Sequence, residues 1–116
     1  MGSEGGSFCN NETAVNKVIH SYTSRIRQKY GPIIKRVILY GSWARGEGNS
    51  DSDVDLLIIT SKVPVNIKFD IIGTACSCFT KTDVYLSIKL FSEEEFEKEK
   101  EYSFIKTVLR EGKLIV

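Results

Sequence analysis

The run Val54–Thr60, Val-Asp-Leu-Leu-Ile-Ile-Thr, leaves a strand with no wet face. Alternation cannot put one side of it in water, so it belongs inside a sheet and is buried on both faces. Two further strands can flank it. Arg36–Tyr40 (Arg-Val-Ile-Leu-Tyr) is short, apolar and runs straight into Gly41-Ser42. Thr82–Phe91 alternates strictly, with Val84, Leu86, Ile88 and Leu90 toward the core and Asp83, Tyr85, Ser87 and Lys89 on the opposite face. Helical spacing fills the rest. Val15, Val18, Ile19, Tyr22 and Ile26 form one face of a helix from about Glu12 to Tyr30, which Gly31-Pro32 ends. Val65, Phe69, Ile72, Cys76 and Phe79 form the face of a second, with Cys76 as a small core residue. Ser92 and Glu95 have the spacing of a capping box opening an acidic helix. Phe104, Ile105, Val108 and Leu109 mark a last helix before Gly112, and Leu114-Ile115-Val116 can add a short edge strand. The expected fold is a mixed α/β (α+β) domain with one sheet of three or more strands flanked by helices.

A chain of 116 residues has room for one such domain and none for a separate substrate module. Residues 1–11 are rich in Gly, Ser and Asn and read as a flexible leader, leaving 12–116 as the domain. The leader has no apolar core, so it is not a signal peptide, and no apolar run reaches membrane-spanning length. Sixteen basic and fifteen acidic side chains give a net charge of +1, which argues against strong intrinsic nucleic-acid binding. The basic stretch from Arg25 to Arg36 and the acidic one from Glu93 to Glu101 read as solvated faces. Cys9, Cys76 and Cys78 make neither a disulfide framework nor a zinc motif, consistent with a reduced, cytoplasmic protein. His20 sits off the apolar stripe, without ligand partners at metal spacing.

The chemistry-bearing residues cluster between Val37 and Ile59. Asp53 and Asp55 are two apart, so in a strand both point to one side, about 7 Å apart. That side continues with Leu57 and Ile59, which puts two like charges at the mouth of an apolar strand. A divalent cation between them is the economical solution, and oxygen-only ligands favour magnesium or manganese. Asp83, at the head of the alternating strand, would reach the same open side as a third carboxylate. Three carboxylates can hold two metals for in-line phosphoryl displacement. Gly41 lets backbone approach a ligand closely, and Ser42 and the amides after it can point at phosphate. Arg45 can grip the same anion with its planar fork. The Asp-Ser-Asp-Val-Asp run lacks the glycine of a calcium loop, and no Gly-Lys-Ser/Thr of a P-loop occurs. Trp43 reads as core packing more readily than as a base contact.

Taken together, Gly-Ser-Trp-Ala-Arg-Gly-Glu-Gly-Asn-Ser-Asp-Ser-Asp-Val-Asp-Leu resembles the signature of the DNA polymerase β nucleotidyltransferase superfamily. Its detailed form is similar to the minimal nucleotidyltransferases of bacteria and archaea, often encoded beside a HEPN-domain partner for which they act as the antitoxin. The resemblance runs from about Lys35 to the C-terminus. It implies phosphate binding by Gly41 and Ser42, magnesium or manganese at Asp53 and Asp55, and Asp83 as the third carboxylate. It also implies transfer of a nucleoside monophosphate, AMP from ATP, to a hydroxyl, including one on the partner toxin. The alternative is a non-catalytic antitoxin that neutralises a HEPN-type partner by covering it.

Overall fold

The computed structural model describes residues 3–49 and 53–116, with side chains from Thr13 onward except those of residues 80 and 81. Helix α1 (Ser3–Tyr30) leads through a 3-10 turn, Gly31–Ile33, into strand β1 (Ile34–Tyr40). Strand β2 (Val54–Thr60), helix α2 (Val65–Thr82) and strand β3 (Leu86–Ser92) follow. Helices α3 (Glu93–Glu99) and α4 (Ser103–Glu111) precede a two-residue strand β4 (Lys113–Leu114). The leader expected over residues 1–11 lies partly outside the described residues, and α1 is already helical from Ser3. The apolar periodicity that marks this helix in the sequence begins only at Val15.

The sheet order is β3-β2-β1-β4. Strand β2 pairs antiparallel with β1 and parallel with β3, and the helical crossover α2 makes the parallel pairing possible. The tail extends the sheet beyond β4: Val37 N–H donates to Val116 O at 3.2 Å, and Ile115 N–H donates to Val37 O at 2.7 Å. The edge strand expected at Leu114–Val116 thus starts one residue earlier, at Lys113–Leu114, with Ile115 and Val116 bonded to Val37 beyond it.

Both faces of β2 are covered, as its composition demands. Val54, Leu56 and Ile58 pack with Val37 and Leu39 against α1 and α2. Leu57 and Ile59 pack with Ile38 against Ile105 and Val108 of α4. Asp53 and Asp55 share the parity of Leu57 and Ile59, so they belong to the α4 face. The capping box forms as read: Ser92 N–H donates to Glu95 Oε1 at 2.8 Å and Glu95 N–H donates to Ser92 Oγ at 3.1 Å.

Helix α2 is rotated from the orientation its periodicity suggests. Its buried residues are Ile71, Ala75 and Cys78, while Val65, Phe69, Ile72, Cys76 and Phe79 face solvent. The reason lies in α1. Fully buried Tyr22 donates its hydroxyl to Ile71 O at 2.8 Å, which draws the two helices together. Only a side with small residues such as Ala75 and Cys78 fits that approach, and phenylalanines do not.

Candidate active site

Gly41 ends β1 with φ +82°, a left-handed conformation that side chains other than glycine rarely adopt. A Cβ at this position would lie 2.3 Å from Asp55 Oδ2. The backbone at Gly41 thus runs directly over the carboxylate, and glycine is required twice over. The chain then folds into a compact turn. Gly41 O accepts from the amides of Ala44 (3.1 Å) and Arg45 (3.2 Å), and Ser42 O accepts from Glu47 N–H at 2.8 Å. Those amides are committed within the turn, so the donors expected for phosphate narrow to the Ser42 end. Ser42 is half-buried at that end. Trp43 packs against the core, as read, and a Cβ at Gly48 would meet its ring at 2.2 Å.

Asp55 lies across from Tyr40 on β1 and from Ser87 on β3. Burial raises its pKa above the ordinary carboxylate value, and the neighbouring Asp53 raises it further, while Lys89 and Arg45 oppose the shift. The Tyr40 phenol is pushed up to about 12, mainly by burial and then by the charge of Asp55. The Tyr40 ring meets Phe104 of α4 edge-on at 5.4 Å, and Lys89 Nζ lies over the Phe104 ring at 5.9 Å. On the α4 face Asp55 is therefore flanked by Tyr40 from β1 and Ser87 from β3, with Lys89 and Phe104 beside them. Two hard oxygen donors, one of them half-buried and destabilised by its neighbour, suit a divalent cation of the magnesium or manganese type. Asp53 and Asp55 are the residues that would hold it.

Arg45 is at the site's edge, exposed, and holds Glu47 (Nε–Oε1 3.1 Å) and Glu111 at the end of α4 (Nη1–Oε1 3.4 Å). Asp83 does not open a strand. It is the exposed C-cap of α2 in a left-handed conformation, φ 61°, with its N–H donating to Phe79 O at 2.9 Å, and β3 begins only at Leu86. Among the described residues no three carboxylate, histidine or cysteine side chains gather as a metal group. Asp53 and Asp55 are brought together, while Asp83 is not gathered with them. The strict alternation of Thr82–Phe91 hid this boundary, because a helix end and a strand start can share one alternating pattern. Ser87, Lys89, Tyr40 and Phe104 were not singled out from sequence. The alternation placed Ser87 and Lys89 on the polar face, but only the β2–β3 register sets them beside Asp55.

The model of the family described as "Nucleotidyltransferase domain" matches residues 21–115. The chain belongs to the nucleotidyltransferase domain family. This nucleotidyltransferase is 34% identical over 100 residues to MJ0604 of Methanocaldococcus jannaschii, a candidate protein adenylyltransferase, spanning 85% of this chain and 95% of that one. It is 29% identical over 55 residues to the protein adenylyltransferase MntA of Thermococcus cleftensis, 47% of this chain and 54% of the other. Among solved structures, a candidate nucleotidyltransferase from Sulfolobus solfataricus superimposes with a TM-score of 0.56 at 17% identity, covering 91% of this chain and 83% of that one. A toxin–antitoxin complex, MntA–HpeT, contains a chain similar at TM-score 0.53 and 19% identity, covering 87% and 70%. These structural likenesses establish the nucleotidyltransferase fold.

Proposed function

We propose that the chain transfers AMP from ATP to a hydroxyl of a partner protein, using one face of β2 as its active centre. The observation that carries this reading is the Asp53–Asp55 pair beneath Gly41. A half-buried carboxylate with a second beside it, directly under a backbone that only glycine permits, is a costly arrangement unless it serves a bound cation and anion. Asp53 and Asp55 would hold magnesium or manganese, which when bound supplies positive charge to the α-phosphate. Gly41 and Ser42 would place the phosphates, with Arg45 swinging from Glu47 and Glu111 to join them. The position of Asp83 at the α2 C-cap, before β3 begins, supports reading Asp53 and Asp55 as the working pair.

The relatives named as protein adenylyltransferases support a protein acceptor, and the toxin–antitoxin neighbour supports a toxin, of the HEPN type implied by the motif, as that acceptor. One solved neighbour is described as a toxin–antitoxin with AMP-PNP, which favours ATP as donor. The test is labelling. The purified chain is incubated with ATP labelled at the α-phosphate, magnesium and the protein encoded beside it. Label on that protein is expected with wild type and not with Asp53→Asn or Asp55→Asn. Equal labelling by the variants would remove the pair from the active centre. A partner that binds tightly and stays unlabelled would favour the purely covering antitoxin.

A further inference from the structure

The β2–β3 register puts Ser87 directly across from Asp55 and Lys89 across from Leu57, all on the α4 face. A third carboxylate completing a two-cation site from β3 would stand where Ser87 stands. This chain has a hydroxyl there and an ammonium two residues further along. Lys89 is exposed, with its Nζ over the Phe104 ring at 5.9 Å, and Phe104 meets edge-on the ring of Tyr40, whose strand position faces Asp55. We propose that Lys89 does the work of a second divalent cation, so that the site binds one metal ion at Asp53 and Asp55 and the Lys89 ammonium holds the α-phosphate beside it.

The proposal rests on the nucleotidyl-transfer reading and deepens it. In that reaction the acceptor oxygen bonds to the α-phosphorus and the bond to the bridging oxygen breaks. The electron pair leaves with pyrophosphate, and the hydroxyl proton passes to water. Lys89 keeps its proton throughout, and its charge offsets the negative charge on the α-phosphate oxygens. The nearby ammonium also offsets part of the repulsion between the two carboxylates before any ligand arrives.

Two binding measurements on the intact chain, neither reading turnover, test this. Manganese alone is titrated by electron paramagnetic resonance. Lys89→Gln should tighten its binding about three- to tenfold, because a competing positive charge is gone. Ser87→Asp should tighten it by about tenfold or more, by restoring a third carboxylate. Asp83→Asn should leave it alone. ATP is then titrated with EDTA present, where Lys89→Gln should weaken binding severalfold and Lys89→Arg should retain it. The opposite signs for metal and nucleotide are the signature, since a surface lysine outside the site would move neither. Unchanged manganese affinity in Lys89→Gln, or a tenfold loss in Asp83→Asn, would overturn the proposal. If instead Asp55→Asn binds manganese as wild type does, the metal-site reading itself fails, which separates the two failures.

Discussion

Asp55 concentrates the cost of the site. Its folded-state pKa lies above the ordinary value because of burial and Asp53. Between the ordinary value and the raised one, the folded chain binds more protons than the unfolded chain. Stability therefore falls as pH rises through that window. In metal-free protein, Asp55→Asn should raise Tm at neutral pH and flatten the decline of Tm across that window. A lower Tm for the variant would mean that the carboxylate is already satisfied by protein groups. Asp70 has the opposite sign. Lys29 and then Tyr30, both bonded to its carboxylate, hold its pKa low, so what it contributes is present above the ordinary carboxylate range and lost on acidification. Arg45 separates function from stability. Its two ion pairs are exposed and screened by solvent, so Arg45→Ala should leave the melting temperature nearly unchanged. If it grips phosphate, the same change should weaken ATP binding by about tenfold or more, measured by calorimetry. Normal ATP affinity would leave Arg45 as a tie between the Gly41 turn and α4.

At the scale of elements, strands were more legible than helix faces. Strand β2 has the same limits in sequence and structure because its apolar run is bounded by charge and turn residues. The Ser92 cap and the Gly31-Pro32 break were equally plain, since each rests on local backbone chemistry. Helix α2 was not. It carries two apolar stripes, and periodicity alone cannot tell which one Tyr22 draws inward. The test is a pair of substitutions. Ile71→Ala, in the core, should destabilise by about 2–5 kcal/mol. Phe69→Ala, at a position 68% exposed, should stay within about 0.5 kcal/mol. Denaturant unfolding that gave Phe69 the larger effect would reverse the assigned face. Asp83 was misplaced for a related reason: the left-handed residue that ends α2 leaves no mark in a two-residue alternation.

Across the whole molecule, the sheet order brings groups from three separate stretches of sequence to one face. The Gly41 turn follows β1, the carboxylates open β2 and the ammonium comes from β3, so three adjacent strands converge on the α4 face. The motif from Gly41 to Asp55 could be read from spacing because all of it is local to one hairpin. The contributions of β3 and α4 could not, because they depend on pairing register and on the packing of Phe104 against Tyr40. No helix among the described residues is long and apolar enough to cross a membrane. The central claim is that Asp53 and Asp55 couple metal to nucleotide. Calorimetric titration of ATP with and without manganese, into wild type and Asp55→Asn, tests it most directly. Wild type should bind ATP at least about tenfold more tightly with manganese, by about 1.4 kcal/mol or more, and Asp55→Asn should lose that gain. A manganese-dependent gain that survives in Asp55→Asn would contradict the account.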